Sequence, residues 1–166
     1  AGISFLPAVP NENYYFTQTA NDFLYIEKIG YKNELHIIGG GHCALAFSKL
    51  MHGMDFYIRL YEERAGLNTL VQNEYVHEKI IVESYALLKD LMHSSNNAYV
   101  VIMTFGYRTD DIALRALLGK SFAYIGMLGS KKKVEKMFNE YREEKIDVGL
   151  LNQVHSPIGI QIKSET

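Results

Sequence analysis

Gly39-Gly40-Gly41-His42-Cys43-Ala44 carries the pattern G-x-G-x-x-A directly after the apolar run Leu35–Ile38 and directly before apolar residues at helical spacing. In that setting the first glycine permits a tight turn, and the second lets a pyrophosphate approach the backbone. Ala44, small at the third position, lets the helix pack closely on the strand. Free N–H groups and the positive end of the helix dipole would face the phosphate. An acid is expected about 20 residues further on, near the end of the second strand. Glu62 stands there, where it would accept hydrogen bonds from a ribose hydroxyl and repel a 2′-phosphate, with Arg64 softening that preference. The same residues also suit a tight strand-to-helix turn with no ligand and ordinary surface acids.

His42 and Cys43 fall where the helix begins. A helix N-terminus stabilises negative charge, so Cys43 could serve as a soft metal ligand or sulfur carrier. It could equally be a small buried residue at a variable loop position. His36 lies within a strand and reads as structural. Thr104, with Asp110 after it, follows the most apolar strand, at the carboxyl edge where open α/β sheets bind ligands. Thr109 or Asp110 would cap the next helix. Gly126, Gly129 and Ser130 form a second strand–loop–helix junction, and Lys131-Lys132-Lys133 follows it. Three lysines in a first turn either neutralise a bound anion or form a solvated face. Val154-His155-Ser156-Pro157-Ile158-Gly159-Ile160 reads as a constrained turn feeding a last strand.

These residues need a scaffold, and the pattern predicts one. Strands are expected at 35–38, 56–60, 79–82, 99–103 and 122–125. Helices are expected at 43–51, around 87–92, at 110–118 and at 131–142. Strands alternating with helices of about ten residues give βαβ units. The expected fold is α/β: a Rossmann-like, doubly wound, mainly parallel sheet with helices on both faces. Residues 1–34 read as an N-terminal arm. Leu6 to Asn13 form a loop with two prolines, and the clusters Tyr14–Thr17 and Phe23–Ile26 form two short strands around a turn. The arm would dock on the domain or on a second subunit.

The 166 residues suit one main domain. Hydrophobic residues at 48% exclude a disordered chain, and no apolar run is long enough for a transmembrane helix. Seventeen Lys and Arg against nineteen Asp and Glu give a net charge of −2, which offers no basic face for nucleic acid. A single cysteine allows no internal disulfide and fits a reducing compartment, so the expected location is cytoplasmic.

Taken in order, Ile38 to His42, Glu62 with Arg64, Thr104 with Asp110, Tyr124 to Ser130, and His155 to Gly159 resemble the C-terminal Rossmann-like domain of the XdhC-type (XdhC/CoxI) family. These are accessory proteins of xanthine dehydrogenase and related molybdenum hydroxylases. The resemblance runs from about Leu35 to Thr166, so the domain is taken as 35–166. It implies a maturation factor, a cofactor chaperone rather than a turnover catalyst. Such a factor binds the molybdenum cofactor, a phosphate-bearing pterin (molybdopterin), and hands it to an apo molybdenum hydroxylase. It implies a cofactor site of Gly39, Gly40, Gly41, His42, Glu62, Arg64, Thr104, Asp110, Gly126, Gly129 and Ser130. A cysteine desulfurase and a second copy of the chain are the further partners it points to. Three departures stand out. Glu62-Glu63-Arg64 replaces an acid-Pro-Arg triplet, Phe105 replaces a histidine after Thr104, and relatives continue past Thr166 into another helix, so a truncated C-terminus is expected. Alternatives are an NAD(P)-dependent oxidoreductase, for which no Tyr-x-x-x-Lys pair is present, or a nucleotide-sensing module.

Overall fold

In the computed structural model, residues 14–27 and 29–159 are described. The chain divides into two compact units after Tyr31. In the first, β1 (Tyr14–Gln18) and β2 (Phe23–Glu27) pair antiparallel, with Tyr15 opposite Ile26 and Phe16 opposite Tyr25. The two expected strands are thus present. The turn between them is held by Thr19, whose hydroxyl accepts from Asp22 N–H. The proline-bearing stretch expected as a loop, Leu6 to Asn13, lies outside the described residues.

The second unit is a sheet of six parallel strands. They are β3 (Asn33–Ile38), β4 (Phe56–Glu62), β5 (Glu78–Ile81), β6 (Ser95–Ile102), β7 (Phe122–Met127) and β8 (Val154–His155). Their spatial order is β5-β4-β3-β6-β7-β8, all parallel, so the chain reverses its direction of growth between β3 and β6. This is the strand order of a doubly wound Rossmann sheet. The expected fold class is the observed one.

Strands with apolar residues on both faces must be covered twice. Val101 and Met103 join Leu35, Ile37, Ile58 and Leu60 on one face. There they meet Ala44, Phe47 and Met51 of α1 (His42–Met51) and Leu70 of the short α2 (Asn68–Val71). Val100 and Ile102 join Ile38, Ile125 and Met127 on the other face. That face is covered by a 3-10 turn (Tyr85–Leu87), α3 (Leu88–Leu91), α4 (Tyr107–Leu117), α5 (Lys131–Glu143) and α6 (Val148–Leu151).

Three expectations are corrected. The helix placed at 110–118 begins at Tyr107, because extended Gly106 ends the loop earlier; Thr109 and Asp110 lie inside α4 rather than at its cap. Val154 and His155, expected within a turn, form strand β8, and the last strand expected after that turn lies outside the described residues. Cys43, placed among buried residues in one reading, is exposed. The inward stripe of α1 is Ala44, Phe47, Ser48 and Met51, and position 43 falls off it. Among the described residues no helix is long and apolar enough to cross a membrane.

His36 is structural, as its strand position suggests. It is buried, with Nδ1 3.2 Å from the Tyr61 hydroxyl and Nε2 3.2 Å from a Glu34 oxygen, beside Arg59. Burial pushes its pKa below the ordinary value, against the pull of Glu34. The unfolded chain then binds the extra proton. Stability present above about pH 6.5 is therefore lost as pH falls toward the folded-state value. The fall in melting temperature between pH 7 and pH 5 is expected to be smaller in His36→Asn than in the wild type.

Candidate functional site

The glycine turn sits at the reversal point, between the carboxyl ends of β3 and β6. Gly39 has φ +106, and a Cβ there would lie 2.6 Å from the Met103 carbonyl oxygen and 2.8 Å from Thr104 Cα. Its N–H donates to the Tyr61 carbonyl at 2.8 Å. Gly39 is thus required by the fold itself. Gly40 is tight as well: its Cβ would stand 3.2 Å from Glu62 Oε2, and its carbonyl accepts from the buried Thr69 hydroxyl. Gly41 differs from both. Its backbone, φ −72 and ψ −172, suits any residue, and a Cβ would meet nothing within 4 Å.

Gly41 is also the N-cap of α1, and no side chain caps that helix. A first turn leaves N–H groups without intrahelical partners. There is accordingly open space in front of a ten-residue helix whose dipole favours an anion. His42 and Cys43 are exposed in that first turn.

Glu62, the last residue of β4, is 1% exposed and saturated with donors. Oε2 accepts from Gly40 N–H at 2.7 Å and Arg64 Nη2 at 3.1 Å. Oε1 accepts from Glu63 N–H, Arg64 N–H and Arg64 Nε. Burial raises its pKa, but the bonds from Arg64 and Gly40 outweigh burial and hold the carboxyl below its usual range. A carboxylate offers about four lone-pair positions, and five donors occupy these two oxygens. A ribose hydroxyl would have to displace Arg64 to reach Glu62. The acid therefore braces the loop. Glu62→Ala would leave the Gly40 N–H unpaired and free Arg64, at a cost of roughly 2–3 kcal/mol in unfolding free energy by urea titration.

A second cluster lies beyond β6. Thr104 donates from both N–H and hydroxyl to Asp110 Oδ1, at 3.1 and 2.6 Å. Asp110, 1% exposed, pairs through Oδ2 with the Lys133 ammonium. Lys133 thus neutralises an internal carboxylate, which explains part of the basic first turn of α5, while Lys131 and Lys132 are exposed. Ser130 is the N-cap of α5 and accepts from Lys133 N–H at 3.3 Å. Gly129 lies against the Lys133 side chain. Gly126 is inside β7, where the Tyr124 ring would lie 2.7 Å from any Cβ. That ring also stacks on His155, at 4.8 Å between centroids.

The site residues therefore fall into groups. Gly40, Glu62 and Arg64 are one hydrogen-bonded unit, with Gly39, abutted by Thr104, before it in the chain and Gly41 and His42 after it. Thr104, Asp110 and Lys133 are a second, with Gly129 and Ser130 beside Lys133. Gly126 packs under an aromatic ring. Thr69 and Phe105 were not expected at the site. Phe105 is 75% exposed, and the Arg64 guanidinium lies 5.1 Å from its ring centroid. No spacing rule points to Thr69. Among the described residues no group of three or more His, Cys, Asp or Glu side chains could hold a metal.

A parallel sheet in this order, with a glycine turn at its switch point and an acid closing the neighbouring strand, defines a Rossmann-type α/β domain. Residues 35–166 match the XdhC Rossmann domain, and the chain belongs to that family. It is similar to YqeB, an uncharacterized protein of Escherichia coli K12, at 25% identity over 146 residues, which cover 86% of this chain and 26% of YqeB. It is also similar in fold to a crystal structure described as a xanthine dehydrogenase from Bacillus halodurans. There the TM-score is 0.64 at 22% identity, over 86% of this chain and 39% of that one. The chain spans well under half the length of either relative.

Proposed function

We propose that this chain is the cofactor-holding domain of a cytoplasmic maturation factor for a xanthine dehydrogenase-type molybdenum hydroxylase. In this reading it binds the phosphate of the molybdenum cofactor at the Gly41 turn and passes the cofactor to the apoenzyme. Membership of the XdhC family supports the accessory role. One observation carries the choice of site: Gly41 faces open space at an uncapped helix start, though neither its backbone angles nor its neighbours require a glycine.

The residues present fit such a ligand. The first-turn N–H groups at Gly41, His42 and Cys43 would hold the phosphate, and Glu62 keeps the preceding peptide fixed through Gly40 N–H. When bound, the cofactor supplies the molybdenum centre that the client enzyme uses. The chain's own work is to bind, orient and shield it. Saturation of Glu62 favours a ligand with no ribose diol at that position, and so a pterin phosphate over NAD(P).

Calorimetric titration of the chain with a pterin monophosphate and with NADH tests this. The pterin phosphate is expected to bind at least tenfold tighter. Preferential binding of NADH would overturn the reading in favour of an oxidoreductase or a nucleotide sensor.

A further inference from the structure

The bonded unit around the glycine turn does not end at Glu62. Arg64 is clamped to that carboxylate by Nε at 2.8 Å and Nη2 at 3.1 Å, which fixes the plane of its guanidinium. That guanidinium lies over Phe105, at 5.1 Å from the ring centroid. Phe105 follows Thr104, whose Cα abuts Gly39. The phenyl ring is therefore tied at two points to the turn: through the backbone to Gly39, and through Arg64 and Glu62 to Gly40 N–H.

A lone exposed aromatic is ordinary on a protein surface. This one is 75% exposed, is tied at two points to the glycine turn, and a cation of fixed orientation backs it. Ordering an aromatic side chain in advance lowers the cost of stacking a ligand on it. Arg64 cannot easily leave to pair with a second anion, because doing so would uncover the buried Glu62 carboxylate.

We propose that Phe105, held by Arg64, is a stacking platform for a planar heteroaromatic ring carried by the ligand whose phosphate sits at Gly41. This rests on the glycine-turn reading given above. The platform makes the ring, rather than a sugar diol, the specificity determinant of the site. A pterin and a purine share that chemistry, and binding measurements separate them.

The test titrates wild type, Phe105→Ala and Phe105→Tyr with a pterin monophosphate, with adenosine monophosphate and with glycerol 3-phosphate, which lacks a ring. Phe105→Ala is expected to weaken the pterin phosphate about tenfold or more. Phe105→Tyr should restore it, and glycerol phosphate should be indifferent to all three side chains. An equal loss for adenosine monophosphate supports a platform for planar rings in general, and a loss confined to one compound identifies the ring it takes. Equal affinity of Phe105→Ala and wild type for both ring-bearing ligands would overturn the platform while leaving the phosphate site intact. A matching loss for glycerol phosphate would overturn it too, by showing that the loop and not the ring is at work. If wild type binds none of the three, the glycine-turn reading falls and takes the platform with it.

Discussion

Gly41→Val is expected to fold as the wild type does and to lose its phosphorylated ligand. The valine side chain starts from a backbone at φ −72 and ψ −172, which L residues adopt freely, and its Cβ meets no atom within 4 Å. Replacing glycine by an apolar N-cap costs about 1 kcal/mol at most, since no capping hydrogen bond is lost. The added methyl groups would instead stand where the phosphate must approach the first-turn N–H groups. The loss of binding should exceed a hundredfold by calorimetry, with the far-ultraviolet circular dichroism unchanged. A folded variant with wild-type affinity would mean that the phosphate lies elsewhere.

Gly39→Ala, two residues away, is expected to do the opposite. At φ +106 any side chain is strained, at a cost of roughly 1–3 kcal/mol. Its Cβ would also press on Met103 O at 2.6 Å, Thr104 Cα at 2.8 Å and Met103 C at 2.9 Å, all backbone atoms of the neighbouring strand end. Such overpacking adds about 1–3 kcal/mol. A total near 4 kcal/mol should lower the melting temperature by roughly 15 °C. Thermal melting of the two variants side by side separates the glycine that the fold needs from the glycine that only a ligand needs. Melting of Gly39→Ala within 2 °C of wild type would contradict that division.

Much of the architecture was legible because it depends on short-range pattern. Both-face burial of Val100 to Met103 makes a continuous apolar run, and the glycine turn stands between a strand and a helix, so the Rossmann order follows from the order of elements. What escaped depends on side-chain contacts that no short-range pattern encodes. Glu62 reads as a free ribose acceptor until Gly40 and Arg64 are seen to fill its oxygens. Gly126 reads as a loop glycine, yet it serves the ring of Tyr124, two residues away along the same strand. Lys133 reads as part of a lysine run that either neutralises a bound anion or forms a solvated face, until its carboxylate partner proves to be Asp110, in another helix. Thr69 gives no signal, because α2 is a single turn with little periodicity to find.

The central claim is custody of a phosphate-bearing pterin at the Gly41 turn. It is tested most directly by the molybdenum and pterin content per chain, measured on protein purified anaerobically from a host that makes the cofactor, with Gly41→Val prepared in parallel. The account predicts close to one equivalent of pterin in the wild type and almost none in the folded Gly41→Val variant. Equal content in the two proteins, or bound NAD with no pterin in the wild type, would contradict it.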